Sequence, residues 1–264
     1  MELRHRVALN DVQLDELDER ILVLGVTDGA GKETMNAVSR FGGIGQRLTL
    51  RHRDTLDVNV VFGLRIKAND MQARSELFEL VSAWAMGGGW LTVNYKPNRR
   101  LYVTCAQLPA PGDLANWTTE FSIVFRAYGV PYWQQVTPTQ IKVASTRAIT
   151  RSMEVPGTAE TVLDVAFTNI SGMDIATFVF TAGDKRFALE NLALKANETL
   201  AIEHTAEGIL RIGIYGTTGA WRSALGCRTA ESSDNLTVNP GTVQWSVTAQ
   251  RAGRLTVSCC GRYL

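Results

Sequence analysis

Residues 57–66 read DVNVVFGLRI, and apolar side chains alternate with polar or small ones along this stretch. The apolar set falls on one side of an extended chain: Val58, Val60, Phe62, Leu64 and Ile66. A two-residue period of this kind is typical of a strand with one buried face. We therefore predict a half-buried strand that belongs to a sheet.

A helix is predicted directly after this strand. Asn69 and Asp70 offer side-chain oxygens that can cap its first turn. An apolar stripe then recurs at the helical spacing i, i+3, i+4 and i+7: Leu77, Leu80, Val81 and Trp84. The three glycines at 87–89 end the helix, because glycine adopts a left-handed backbone without strain. A second alternating run at 90–95 predicts the next strand.

The segment before this strand–helix–strand unit is also rich in strand patterns. Residues 2–17 predict two short strands that turn at Asn10 and Asp11. The near-continuous apolar run at 21–26 predicts a buried strand. Residues 29–46 are glycine-rich and weakly patterned, which leaves either a long loop or an extended hairpin arm.

Two long strands follow the unit after a turn at Pro97 and Asn98, and they are predicted at 100–108 and 117–128. The alternation lapses between Pro131 and Pro138, where we place a domain boundary. Residues 1–136 are thus predicted to form a β-rich domain in which one α-helix docks on a sheet or barrel.

The remaining residues, 137–264, contain strand and turn patterns and no helix candidate of useful length. The predicted strands are 139–149, 162–169, 176–181, 185–189, 199–204, 209–215, 242–249 and 254–260. Asn239-Pro240-Gly241 suits a type II turn. This rhythm is typical of an antiparallel β-sandwich, so the chain as a whole is predicted to be mostly β.

Composition excludes several classes of protein. The 264-residue chain has a formal net charge of +1, so its bulk charge gives no attraction to nucleic acid or to membranes. No apolar run approaches the roughly 18 residues that a membrane-spanning helix needs. The N-terminal residues lack the apolar centre of a signal peptide. We expect a protein made and kept in a cytosol, without membrane insertion or sequence-specific binding of nucleic acid.

No catalytic, cofactor or metal site is predicted. The four cysteines, Cys105, Cys227, Cys259 and Cys260, show no metal-ligand spacing, and buried free thiols explain them better. The three histidines are scattered, and no nucleophile, base and orienting group converge locally.

The order of the elements matches one family in apolar pattern over nearly the whole chain. The matching segments are the strand at 58–66 with the helix at 70–84, RLYVT at 100–104, FSIVFRAY at 121–128 with PYW at 131–133, LTVNPG at 236–241 and GRYL at 261–264. Together they resemble the distal tail (Dit-like) proteins of siphophage-type bacteriophages and prophages. The glycines at 87–89 and the adjacent cysteines depart from the family pattern.

The resemblance implies a structural part of a virion rather than an enzyme. Six copies of the first domain would close into a ring that joins the tail tube to the tail-tip and receptor-binding proteins, with DNA passing through its centre. The resemblance implies a β-barrel-like fold with one docked α-helix for the first domain, residues 1–136, and a galectin-like or carbohydrate-module-like sandwich for the second. The expected location is the virion tail tip, after synthesis in the bacterial host cytoplasm.

Two other functions stay open at this point. Trp221 follows Gly-Thr-Thr-Gly and is the best candidate for an exposed aromatic, so the second domain could bind host cell-wall polysaccharide. The residues around His204 and Trp221 do not fit a galectin sugar site, however. A hydrolase of cell-wall polymers would need two carboxylates across a cleft, and no such pair can be nominated from the sequence.

Overall fold

The computed structural model describes residues 5–29, 32–38, 48–66, 70–109 and 118–264. The chain divides into two compact units, Met1–Trp133 and Gln134–Leu264. Strand β9 (Trp133–Gln135) runs across that division. Each unit is built on its own antiparallel sheet, as the sequence patterns predict for a mostly β chain.

The first unit contains the only α-helix of the described residues. Its elements are β1 (Val7–Leu9), β2 (Val12–Gln13), β3 (Ile21–Asp28), β4 (Lys32–Val38), β5 (Leu48–Arg65), α1 (Met71–Met86), β6 (Gly89–Val93), β7 (Arg99–Gln107) and β8 (Thr118–Tyr128), with a short 3-10 helix at Leu14–Glu16. The helix and the half-buried strand predicted at its side are both confirmed.

The sheet of the first unit follows the order β2-β1-β6-β7-β8-β5-β3. Within the described residues it stays open, because no pairing joins β2 to β3. The outer part of β5 pairs with β4, so the described residues 32–38 of the glycine-rich segment form one strand of an extended hairpin arm; residues 30–31 and 39–47 lie outside the described ranges. The inner part of β5 pairs with β3 on one side and with β8 on the other.

Helix α1 packs its apolar face on the sheet, where Phe78 and Trp84 make ring contacts with Phe121 and Phe125 of β8. The Asp70 carboxylate caps the helix by accepting a hydrogen bond of 3.0 Å from the Ala73 backbone N–H, as predicted, whereas Asn69 lies outside the described residues. The Phe78 ring meets the Phe121 ring edge-on, with centroids 4.3 Å apart. The Trp84 indole N–H donates to the Val12 carbonyl at 2.9 Å, which ties the helix to the N-terminal hairpin.

The predicted helix stripe is off by about one residue position. Leu80 is 38% exposed, and the buried residues of α1 are Arg74, Leu77, Phe78, Val81 and Ala85. The sequence stripe included Leu80 because its spacing from Leu77 is helical, but the face that meets the sheet is centred between Leu77 and Phe78. Arg74 is buried as well, and its guanidinium lies 6.0 Å from the ring centroids of Phe78 and Phe121, where the aromatic faces attract a cation.

The prediction that β3 is a buried strand is wrong. Ile21 is its one buried residue, and Leu24 is 43% exposed. The reason is position, because β3 pairs only with β5 among the described strands and is therefore an edge strand. Leu24 also sits in an irregularity of the register between Val23 and Gly25, where its side chain lies against Gly63.

The glycine run after α1 has a stereochemical explanation. Gly88 adopts the left-handed backbone predicted for the helix exit, with a φ of +58°, and a Cβ there would lie 2.8 Å from the Val103 carbonyl oxygen. Gly89 has a φ of +126°, and its missing side chain leaves room for Asn10, whose amide oxygen accepts from the Trp90 N–H at 2.9 Å. The Asn10 side-chain amide also donates to the Gly88 carbonyl at 2.9 Å.

A partly buried ionic cluster joins β3 to the end of the first unit. The Asp28 carboxylate accepts hydrogen bonds from Lys96 Nζ, from the Trp133 indole N–H at 3.1 Å and from the Tyr95 hydroxyl at 3.3 Å. Burial opposes ionisation of Asp28, but the hydrogen bond and charge of Lys96 outweigh it, so the pKa of Asp28 is lowered. Burial, with the neighbouring Asp28 charge, raises the pKa of Tyr95.

The second unit is built from strands and short turns. Its elements are β10 (Thr139–Val155), β11 (Thr161–Asn169), β12 (Phe178–Ala182), β13 (Lys185–Leu189), β14 (Thr199–His204), β15 (Leu210–Tyr215), β16 (Trp221–Ser223), β17 (Thr237–Val238), β18 (Gly241–Cys259) and β19 (Arg262–Tyr263), with a 3-10 helix at Leu225–Cys227.

Strand β18 connects the two halves of this unit. One side of β18 pairs with β10 along both strands, and the other side pairs first with β12 and then with β11. The strands of this sheet follow the order β13-β12-β18-β11-β14-β15-β16. They enclose one apolar core, which includes Phe167, Phe178 and Trp245.

Two strands predicted separately, at 242–249 and 254–260, are thus a single strand, and so the two halves of the sandwich share β10 and β18. The polar and small residues at 250–253 suggested a turn. Instead, Gly253 lets the chain pass directly beneath the Phe167 ring, since a Cβ there would lie 2.2 Å from that ring.

We predict that Gly89→Ala destabilises the protein, whereas Gly87→Ala does not. A methyl group at Gly89 would lie 2.1 Å from Asn10 Oδ1 in a backbone conformation unsuited to alanine, and we expect the free energy of unfolding to fall by about 2 to 3 kcal/mol. Gly87 has a φ of −66° and open space around its Cα, so alanine is tolerated there. Urea denaturation followed by tryptophan fluorescence measures both; equal stabilities would contradict the assigned role of Asn10.

We predict that Asp28→Asn lowers the free energy of unfolding by about 1 to 2 kcal/mol at pH 7, because it removes a charge-assisted contact from a partly buried cluster. Since the folded-state pKa of Asp28 is lowered, this stabilisation is complete above the unfolded carboxyl pKa of about 3.9 and is lost as the pH falls below it. Denaturation at several pH values should show the difference between wild type and variant shrinking in acid. Asp11→Asn, at an exposed aspartate of the same unit, is the control.

Candidate functional site

Trp221, the one residue nominated from sequence, lies at the start of β16 and is 42% exposed. Strand β16 pairs with β15, and Trp221 stands opposite Tyr215. Its indole covers Gly213 so closely that a Cβ on that glycine would lie 2.2 Å from the indole nitrogen. Part of the indole therefore protects the sheet, and the rest remains accessible to solvent.

Three polar side chains surround this indole, and we call the set the Trp221 patch: Trp221, Arg211, Glu203 and Tyr215. The Arg211 guanidinium lies 5.0 Å from the centroid of the Trp221 ring. Glu203 Oε1 accepts a hydrogen bond of 2.8 Å from the Tyr215 hydroxyl and lies 3.9 Å from Arg211 Nη1. The hydrogen bond to Glu203 raises the pKa of Tyr215.

The Trp221 patch combines an aromatic surface with hydrogen-bond donors and acceptors, which is the chemistry that recognises the C–H face and hydroxyls of a sugar. Sequence reasoning identified Trp221 and missed its three neighbours. Arg211 and Tyr215 could have been found from the alternation of β15, which places them on the same face as Gly213. Glu203 depends on the pairing of β14 with β15, which the sequence does not reveal.

The first unit presents two strand edges. The β2 edge carries Val12, which is 49% exposed, and the β3 edge carries Leu24. Both are terminal strands of the same sheet within the described residues. Apolar side chains beside unpaired backbone groups are features that partner chains use for strand pairing.

A groove of about 290 Å³ lies beside the first three turns of α1. It is lined by Met71, Arg74, Ser75, Phe78, Glu79 and Ser82. A second depression of about 300 Å³ lies in the second unit and has a largely polar lining that includes Glu160, Lys185 and Asn239.

The histidine and cysteine side chains form no reactive constellation within the described residues. His204 Nδ1 lies 2.9 Å from Asp164 Oδ1. His204 Nε2 is buried without a hydrogen-bond partner among the described residues, so no nucleophile lies beside it there. All four cysteines are free, and Cys259 is the one fully buried. Burial raises the pKa of Cys259 to about 12, so its thiol is unreactive at neutral pH.

The described residues contain neither a cluster of metal-ligand side chains nor a helix able to span a membrane. Across the described residues, no three acidic, histidine or cysteine side chains are grouped as metal ligands. None of the helices in the described ranges combines the length and the apolar character needed to cross a bilayer.

Comparison with known proteins gives a match in structure without a match in sequence. No protein-family model matches the chain, and no curated protein matches it either. The Dit protein of phage SPP1, described as a paradigm of the hub adsorption apparatus in phages that infect Gram-positive bacteria, aligns with a TM-score of 0.68 at 14% identity, over 98% of this chain and 99% of that one. A chain of the phage P2 baseplate in its activated conformation with Ca aligns with a TM-score of 0.54 at 9% identity, over 99% and 98%.

At identities this low, the structural alignments establish a shared fold and nothing more. The shared fold extends over both units. The resemblance to distal tail proteins suggested by the sequence is thereby confirmed at the level of the fold. The chain has the two-unit, β-rich fold of the phage Dit hub protein.

Proposed function

We propose that this protein is a structural component of a phage tail tip, in which six copies of the first domain, residues 1–136, close into a ring. The ring joins the tail tube to the tail-tip and receptor-binding proteins, and DNA passes through its centre. The second domain, residues 137–264, faces outward. The observation that carries this proposal is the match of the fold to the SPP1 Dit hub protein along nearly the full length of both chains. The proposed role requires no catalytic turnover.

The open sheet of the first unit supports ring closure. A cyclic assembly joins two different surfaces of each copy, head to tail, and the β2 and β3 edges are two such surfaces at opposite ends of one sheet. Exposed Val12 and Leu24 supply apolar area at these edges. We propose that neighbouring copies meet through these edges.

Charge is also compatible with a passage for DNA. A protein that holds DNA tightly neutralises many phosphates with lysine and arginine, and its affinity then depends strongly on salt. The formal net charge of +1 indicates no such overall excess of cations. A near-neutral ring would let DNA slide through during ejection without a strong hold.

We predict that Leu24→Glu prevents ring formation, because it places a charge on the proposed contact between copies. The control is Leu80→Glu, which makes the same change at a similarly exposed leucine on α1 rather than on the β3 edge. Mass photometry of each purified variant, alone and with the tail-tube protein of the same phage, measures the assembly. We expect hexamers for wild type and Leu80→Glu, and monomers for Leu24→Glu.

Two results would count against the proposal in different ways. If wild type remains monomeric with the tube protein present, ring formation itself is refuted. If Leu24→Glu assembles as well as wild type, the ring stands and the assignment of the β3 edge to the contact is refuted.

A second function is favoured by the Trp221 patch. We propose that the patch binds a cell-wall saccharide of the host, with the exposed indole against the sugar ring and with Arg211 and Glu203 against its hydroxyls. This function is compatible with a place at the tail tip, since a sugar contact would help the tail reach the cell surface.

We predict that Trp221→Ala weakens binding of purified host cell-wall polysaccharide by at least about fivefold, because it removes the stacking surface. Trp221→Phe keeps an aromatic ring and should retain part of the affinity. Ile209→Ala, at another exposed apolar residue of the second unit, should leave binding unchanged. A glycan array and isothermal titration calorimetry measure the binding. Wild-type protein that binds no glycan would refute this function.

A further inference from the structure

Strand β10 is the longest edge strand of the second unit. It pairs with β18 from Thr139 to Val155, and among the described strands no other one pairs with it. One side of β10 therefore presents backbone N–H and C=O groups along its length. Edges this long are usually covered or interrupted in soluble proteins, because they are templates for pairing with another chain.

The side chains of β10 leave room for another strand. In most strands one face is buried, whereas residues 144–152 are exposed on both faces, apart from Thr146 and the half-buried Ile149. Most of these exposed residues are small: Ala144, Ser145, Ala148, Thr150 and Ser152. Small side chains let a neighbouring backbone approach, so the exposure is suited to strand addition.

The irregular part of β10 is confined to the residues between Val143 and Ala148. The register with β18 shifts on both sides of Thr146, and a bulge of this kind hinders pairing locally. From Ala148 to Val155 the register is unbroken, with each residue opposite one residue of β18. This regular stretch extends about 26 Å, enough for a typical strand to pair along it.

The paired strands β10 and β18 also carry cations that lack partners among the described residues. Five exposed basic side chains on β10 and β18 make no hydrogen bond or ion pair with any residue that the structure describes: Lys142, Arg147, Arg151, Arg251 and Arg254. The acidic residue of β10, Glu154, accepts a hydrogen bond of 2.8 Å from the Thr242 hydroxyl. Uncompensated positive charge along a bare edge favours an acidic partner.

We propose that the free edge of β10 binds an extended acidic segment of a partner protein, which adds to the sheet as a strand beside Ala148–Val155. Backbone hydrogen bonds supply affinity in this mode, and side chains select the segment. Arg147 and Arg151 would contact its carboxylates. The proposal concerns the second unit alone and does not depend on ring formation or on saccharide binding.

A labelled peptide of about ten residues, alternating glutamate with valine and threonine, is the probe, with the full-length protein as its target. We expect binding by fluorescence anisotropy and increased hydrogen-exchange protection of alternate amides in β10. A peptide of the same composition with a central proline, and one with lysine in place of glutamate, should bind at least about tenfold more weakly.

The matched variants are Arg147→Glu and Lys195→Glu, which reverse a charge on β10 and at an exposed site away from it. We expect Arg147→Glu to weaken binding about tenfold and Lys195→Glu to leave it nearly unchanged. Equal binding of the proline peptide, or binding without amide protection, would overturn strand addition.

Two further outcomes would also overturn the proposal by assigning the edge to another occupant. If duplex DNA binds more tightly than the acidic peptide and Arg147→Glu abolishes that binding, the β10–β18 pair is a surface for polyanions. If the β10 amides become protected as the concentration of the protein alone is raised, the edge pairs with a second copy of this chain.

Discussion

The packing of α1 against β8, which pairs with β5 along its length, is the interaction on which the first unit depends. The edge-on contact of Phe78 with Phe121 and the burial of Leu77 and Val81 remove large apolar surfaces from water, at roughly 1.5 to 3 kcal/mol for each side chain. The same strands then pair outward to β3 and β7. Because every other described strand of this sheet is attached through β5, β8 or a neighbour of them, loss of this packing would release the whole unit.

Local pattern was enough to predict the elements whose burial is decided by their own residues. The alternation at 57–66, the capping aspartate and the left-handed glycine exit all follow from stereochemistry within a few residues. The errors concern properties that neighbours decide. Residues 21–26 have the composition of a central strand, yet they form an edge because nothing described pairs with their far side. The sequence predicts two strands where the structure has β18, because a glycine and polar residues resemble a turn. In the structure the Phe167 ring lies over Gly253 and the chain stays extended.

The candidate site shows the same division. An exposed tryptophan after two glycines can be recognised from sequence, and its exposure is what the structure shows. Its surroundings cannot be recognised, because Glu203 and Arg211 are brought together by cross-strand pairing. The glycine at 213, which has no side chain to compete with the indole, sets the position of Trp221 on the sheet. The Trp221 patch is therefore a property of strand register rather than of any motif.

Both units leave backbone hydrogen-bonding groups at strand edges that a solitary soluble protein would be expected to cover. Partial protection is present, since β3 has an irregular register at Leu24 and β10 has one at Thr146. Each irregularity interrupts part of its strand and leaves a regular stretch beside it. A protein whose edges are only partly protected gains specificity, because a partner must match the regular stretch and the side chains around it, and uncontrolled aggregation is still discouraged. Recognition through strand edges needs no catalytic group, which is consistent with a chain whose described titratable residues are mostly engaged in structural contacts or directed to solvent.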